Sequence, residues 1–459
     1  MNSWDFNYWG FFDMVAILLL ALITANVLKK YIKSLRESLI PTSVLGGLFL
    51  LIISTIYKAI TKQNIFETSF FGNRGTEALE LITYHSLAFG FIATTFASKK
   101  EKLNKKRTGE IFDTGVTTVS TYLIQAIVGL GTTIIAVKFV KGLIECSGIL
   151  LPFGYGQGTG QALNWGNIYE TDYGFTGGKN FGLSIAALGF LCASIGGVIH
   201  LNILKRKGKI KVPTNPEKVY EQPFPKKEEP FMNGGLDSFT IQIAAIFITY
   251  LISYGIIFGL GKLIPGFKSV LYGFNFLIGV LMAVTVKGFL KLGRKINFLK
   301  NDYIDKDEMN KISSFCFDLM IVAGIAAIQI DLLLQYYHIL LILGLLGFLV
   351  TYFYNRFVAK IIFPNYEQEQ FMVMYGMLTG TASTGIILLR EIDKNFDTPA
   401  ADNLVYQNFP AIVFGFPMML LAALAPKDPV KTLIILAVFF IVMNIILFRR
   451  QIFCRKKKV

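Results

Sequence analysis

Apolar runs of about 20 residues, each long enough to cross the roughly 30 Å hydrocarbon layer of a bilayer as a helix, follow one another along almost the whole chain. They fall near 9–28, 39–58, 77–97, 115–138, 179–203, 237–258, 269–289, 312–334, 338–358, 404–424 and 431–449, eleven in all. Hydrocarbon offers no partner to backbone N–H and C=O groups, so such runs must close their own hydrogen bonds as helices. We therefore expect an all-α polytopic membrane protein. Composition agrees, with 53% hydrophobic residues, 16% charged residues and a mean hydropathy of +0.53 over 459 residues, outside the balance of a soluble domain. The first run is followed by Lys29, Lys30, Lys33 and Arg36 and is too long for the core of a cleaved signal, so it is expected to remain as the first helix.

The formal charge of +15 is distributed over short loops near 29–38, 99–110, 205–230 and 287–311, while those near 59–76, 166–179, 259–268 and 425–430 carry few basic residues. A basic patch for nucleic acid would gather on one soluble face; alternating loops mark membrane orientation instead. The basic loops belong in the cytoplasm. This predicts a multi-pass membrane protein with its N-terminus outside and the tail from Arg449 to Lys458 inside. Cys146, Cys192, Cys316 and Cys454 have no CxxC or CxxH spacing, so neither a bound transition metal nor a disulfide is expected.

Orientation fixes parity: 140–178 must begin and end outside, and 359–400 must begin and end inside. Both are read as re-entrant hairpins, near 145–166 and 364–390. Residues 1–204 then form one five-helix half and 237–424 a second of opposite orientation, an inverted repeat. The Pro-rich, Lys/Glu-rich stretch 205–236 reads as a cytoplasmic linker, and 425–459 as an extra helix with a basic tail. The eleventh run has no counterpart in the first half and is expected to be peripheral to the machinery.

Each hairpin contains a segment too polar and too glycine-rich to cross as helix: Gly154-Tyr155-Gly156-Gln157-Gly158-Thr159-Gly160-Gln161, and Gly380-Thr381-Ala382-Ser383-Thr384-Gly385. Broken backbone at membrane depth survives where it lines a cavity, and in transporters it lines the binding site. Unwound carbonyls suit a cation, and half-helix N-termini suit a carboxylate. We expect a coupling cation near Gly154, Gly156, Gly380, Thr381 and Ser383. Substrate is expected near Gly156, Gly158, Thr159, Gly160, Gln161, Asn164, Thr381, Ser383, Thr384 and Arg390. Alternate glycines also let helices pack closely, but packing alone has no use for Gln157 and Gln161. His85 and Asp318 lie inside equivalent runs of the two halves and are candidate coupling residues, since ionisable groups at that depth are costly. His85 as a packing residue, Asp318 reaching water, and Arg390 as a cytoplasmic anchor are the plainer alternatives. A Gly-Tyr-Gly potassium filter needs fourfold symmetry, a dinucleotide fingerprint needs a strand-turn-helix unit, and no HExxH or nucleophile-base set suggests an enzyme.

Leu39-Ile40-Pro41-Thr42-Ser43-Val44-Leu45-Gly46-Gly47-Leu48, the Gly154–Trp165 run followed by Tyr173-Gly174-Phe175-Thr176, and the second glycine/threonine hairpin resemble the bacterial sodium/glutamate symporter family over roughly residues 10–424. The resemblance implies sodium-coupled uptake of glutamate, no other cofactor, and a homodimer in the lipid bilayer whose substrate-binding domains move against a fixed scaffold. Gln157 and Gln161 depart from the family pattern, as do Arg390, Glu391 and Asp393 close behind Gly385. Another amino acid or carboxylate, proton coupling, or an ion channel therefore stays open on sequence.

Overall fold

The computed structural model describes residues 6–37, 39–97, 105–208, 236–264, 268–297, 303–330, 334–393 and 397–453. These residues form helices and no strand. The first part contains α1 (Phe6–Tyr31), α2 (Thr42–Thr61), α3 (Gly75–Ala97), α4 (Lys105–Ala136), the broken α5 (Leu150–Tyr173) and α6 (Gly178–Arg206). The second contains α7 (Ser238–Leu263), α8 (Asn275–Lys295), α9 (Lys306–Ala326), α10 (Tyr337–Ile362), the short pair α11 (Glu367–Thr379) and α12 (Ala382–Arg390), α13 (Asn408–Leu424) and α14 (Pro429–Leu447). The expected linker 205–236 lies almost wholly outside the described residues, which stop at Gly208 and resume at Leu236.

The chain is a polytopic helical membrane protein. Among the described residues, nine helices are long and apolar enough to cross a bilayer. The expected spans near 77–97 and 404–424 are not among the nine. The first forms α3 at full length, but Glu77, Glu80, His85 and several hydroxyl side chains lower its hydropathy. The second divides into Ala400–Tyr406 and α13, with Pro410 in the first turn of α13 and Pro417 inside it. Proline removes a helical donor and crowds the preceding turn, which favours such a division. Two boundaries also move. The run expected at 312–334 is α9, which starts earlier because the Asp305 side chain accepts from the N–H groups of Asp307 and Glu308 at its N-terminus. That expected at 269–289 is interrupted at Phe274, between a short helix Lys268–Gly273 and α8.

Apolar side chains on α1, α7, α10 and α14 point outward, among them Ile23, Leu251, Phe353 and Ile441. On a membrane protein these are lipid-facing positions rather than defects of packing. The interior is built differently: α5, α6 and α11 bury large aromatics, including Phe153, Tyr155, Trp165, Tyr169, Phe190, Phe371 and Tyr375. The last helix is better anchored than the sequence suggests. Arg449, just beyond α14, donates to the buried Asp113 of α4 at 2.6 Å, and Tyr354 of α10 donates to Asn444 of α14 at 2.9 Å.

Candidate functional site: two broken helices that meet

The first glycine run sits in α5, and Gly158 breaks it with φ 78° and ψ −170°. That conformation is open in practice only to glycine. Twelve residues of straight helix would separate Phe153 and Trp165 by about 18 Å, yet their rings stack with centroids 5.2 Å apart and planes 23° from parallel. The chain therefore doubles back at Gly158. Its two ends are fastened together, because the Tyr336 hydroxyl reaches the carbonyls of both Gly142 at 3.0 Å and Thr176 at 3.3 Å.

The second run folds similarly. Helix α11 ends at Thr379, Gly380 leaves the helical conformation (φ −143°, ψ −105°), Thr381 is extended (φ −140°, ψ 170°), and α12 begins at Ala382. A Cβ added at Gly376 would lie 2.7 Å from the Cα of Gly385, so the two limbs touch where both lack side chains. The base is tied at the far end of α10: Arg356 pairs with Glu367 at 3.3 Å, and His200 bonds Gln368 at 3.0 Å. From Tyr336 to Arg356 is about 30 Å of helix. The ends of the two loops are thus held at opposite ends of α10.

Between those ends the tips approach each other. A Cβ on Gly158 would stand 3.8 Å from the Thr381 methyl and 3.8 Å from Cε of Met320. Met320 belongs to α9, whose Met320 carbonyl also accepts from the Thr159 hydroxyl at 3.2 Å. On the second tip the Thr381 side chain caps α12, accepting from the Thr384 N–H at 3.4 Å. Gln157 and Thr381 are half-buried and Ala382 is exposed, whereas Gly158, Thr159, Gly160 and Thr384 are buried. Each break brings a negative helix C-terminus and a positive helix N-terminus to the same small region. Such a region can hold a cation on carbonyls and an anion on N–H groups side by side.

Sequence reasoning missed the helix that serves both breaks. A broken helix leaves carbonyls without their intrahelical donors. On α4, Tyr122 donates to the Gly156 carbonyl at 3.0 Å, and Gln125, one turn further, donates through Nε2 to the Leu378 carbonyl at 2.9 Å. One face of one helix thereby satisfies an orphan acceptor from each loop. The i, i+3 spacing of Tyr122 and Gln125 in an apolar span was the signal in the sequence.

The remaining candidates are scattered. Gln161 is 1% exposed, and no partner among the described residues reaches either polar atom of its amide. Asn164 donates instead to the Gly273 carbonyl. Arg390 is exposed at the far end of α12, about 13 Å along its axis from the tip. His85 bonds the Tyr250 hydroxyl at 2.7 Å within a cluster of Tyr84, Phe89 and Tyr250. Asp318 lies two residues before Met320, hence on the other face of α9, where it opens to the surface beside Ser43. Gly154 packs against Ile185 and Ala186 of α6. The side chain of Ser383 is outside those described.

The sodium/glutamate symporter family model matches residues 10–398, a span containing both breaks, α4, α9 and α10. The chain belongs to the sodium/glutamate symporter family. No curated protein matches it. Membership implies Na⁺ as the coupled ion and glutamate as the solute. The family match ends before α13 and α14, so the ion pair between Asp113 and Arg449 joins the matched part to the C-terminal end of the chain.

Proposed function

We propose that this symporter takes up glutamate, or a closely related anionic amino acid, down the sodium gradient by alternating access around the two facing breaks. The observation that carries the reading is the approach of Gly158 and Thr381 from loops tied at opposite ends of α10. Gly154, Gly156 and Gly380 supply carbonyls, and Thr381 and Ser383 supply hydroxyls, to sodium, a hard cation that prefers oxygen ligands. The N–H groups that open the second limb of α5 at Thr159 and Gly160, with the hydroxyl of Thr384, receive a carboxylate, and Gly158 and Gln161 shape the pocket. Sodium bound beside the substrate offsets its negative charge, so each raises the affinity for the other by the same factor. Residues 1–204 and 237–424 act as inverted halves, and one loop then guards each side of the membrane, with the N-terminus outside and the C-terminus in the cytoplasm. An elevator-like displacement of α5, α6, α11 and α12, together with α4 and α10 to which their breaks and roots are bonded, within a homodimer is the simplest motion that carries both tips together. Asn164, Arg390, His85 and Asp318, which stand apart from the tips, act in positioning or anchoring.

The test is uptake of labelled glutamate into proteoliposomes of the purified protein, with and without an imposed sodium gradient, against aspartate, glutamine, neutral amino acids and citrate as competitors. Accumulation above equilibrium that requires sodium is the expected result. Sodium-independent equilibration would mean a channel or uncoupled carrier, and citrate competing better than aspartate would move the substrate to another class.

A further inference from the structure

The polar face of α4 does not stop at Gln125. Thr114, Thr118, Thr121 and Gln125 recur at spacings of four, three and four, which places them on one stripe of the helix, and each is at most 1% exposed. The stripe runs about 16 Å along the axis, from the level of the second loop's base to its tip. The hydroxyls of Thr114, Thr118 and Thr121 donate to the carbonyls of Glu110, Thr114 and Thr117 one turn back, so the burial that needs a reason is that of the amides beside them.

Amides from other helices meet this stripe, and their orientation is fixed by the bonds they make. The Gln125 amide nitrogen donates to the Leu378 carbonyl and to the Thr351 hydroxyl at 2.7 Å; the Asn355 nitrogen donates to the Thr351 carbonyl at 2.9 Å and the Thr121 hydroxyl at 3.3 Å. Nearer the loop base, the Asn403 nitrogen donates to Gln370 Oε1 at 3.1 Å, and Gln370 in turn donates to Thr114 at 3.3 Å. Every donor of these three amides that the bonds orient is engaged, and no donor among the described residues reaches Gln125 Oε1, Asn355 Oδ1 or Asn403 Oδ1. All three residues are at most 1% exposed. A buried acceptor without a donor costs on the order of 1–3 kcal/mol. Three of them lie beside one stripe with their nitrogens turned away, and the hydroxyl protons of Thr114 and Thr121 are spent on the Glu110 and Thr117 carbonyls, so what remains unpartnered there is acceptor oxygen without formal charge. Such a lining attracts a monovalent cation without trapping it as carboxylates would.

We infer that this stripe is the release path of the coupling cation, with a resting site at the amide oxygens of Gln125 and Asn355, whose nitrogens both bond Thr351, on its way from the tips to the loop base. The inference rests on the proposed sodium coupling. Gln125 then has two roles at one atom spacing, holding the second break by its nitrogen and receiving the departing cation by its oxygen.

The experiment measures equilibrium binding of radioactive sodium to the detergent-purified full-length protein, alongside the sodium half-saturation of glutamate uptake in proteoliposomes. Asn355→Leu keeps the volume and removes the oxygen. It should raise the sodium half-saturation about tenfold, a loss of about 1.4 kcal/mol, while glutamate KM at saturating sodium stays within about twofold. An unchanged sodium half-saturation in a variant that elutes as the wild type does would overturn the inference. Should Asn355→Leu fail to fold, Asn355→Asp decides: a lowered half-saturation supports the path, and any other result overturns it. If the wild type shows no sodium-driven glutamate uptake, the proposed function fails by itself. Sodium binding sensitive to Asn355 would still support the stripe, and insensitive binding would sink it as well.

Discussion

Replacing Gly158 by alanine isolates the backbone of the first break from its packing. A methyl group there has room, since its nearest neighbours would be Met320 and Thr381, each at 3.8 Å. The conformation does not have room: at φ 78° and ψ −170° an L-residue is strained by about 1–3 kcal/mol. If the tip must hold this shape for the solutes to bind, that energy is subtracted from binding, a loss of about 5- to 150-fold at 1.4 kcal/mol per tenfold. Uptake in proteoliposomes should show it as raised half-saturation for sodium and glutamate, with normal insertion. Gly174→Ala is the matched control. Gly174 has φ 70° and ψ 23°, with no atom within 4 Å of an added Cβ, but it caps the C-terminal end of α5 far from the tips. It should lower the melting temperature and leave the half-saturations alone. Wild-type half-saturation in Gly158→Ala would refute the claim that this kink shapes the site.

The same contacts set further outcomes. Gly156→Ala places a methyl 2.1 Å from the Tyr122 ring and should abolish uptake, and Tyr122→Ala in the same chain should restore part of it by making room. Thr381→Val removes the cap of α12 and should cost about 0.5–2 kcal/mol at the second tip, read as loss of uptake in a protein that still inserts. Tyr155→Phe breaks the 2.6 Å bond to the Gly344 carbonyl and should lower thermal stability by about 1–3 kcal/mol while substrate competition order is unchanged. Asp113→Ala leaves Arg449 without its nearest carboxylate; because Arg449 is about a third exposed, the expected loss is about 1–2 kcal/mol, below that of a fully buried pair, checked by thermal melting in detergent.

The parts of this molecule written locally were legible in the chain. Span lengths follow from the reach of a helix across hydrocarbon, and the kink at Gly158 follows from glycines where helix was otherwise expected. The second glycine run marks the break between α11 and α12 in the same way. What escaped depends on partners distant in sequence. Nothing near Leu378 announces that Gln125 will take its carbonyl, 253 positions away. Asn164 looked free to bind substrate because its acceptor, Gly273, is equally remote. His85 and Asp318 attracted interest by chemistry alone, and their faces of α3 and α9 are set by packing that periodicity in an apolar helix does not reveal. The last helix seemed dispensable by repeat counting, since counting ignores Asp113 and Arg449, 336 positions apart.

The single hydroxyl of Tyr336 spans two carbonyls that are 34 positions apart along the chain, while the neighbouring Gln335 amide holds the Lys141 carbonyl at 2.7 Å. Both roots of the first loop are therefore stapled to the head of α10, and neither limb can swing without dragging the other or that helix. Whatever displacement the loop undergoes must be shared by its roots as one lever arm, so a probe attached at residue 142 and another at 176 should report the same stroke.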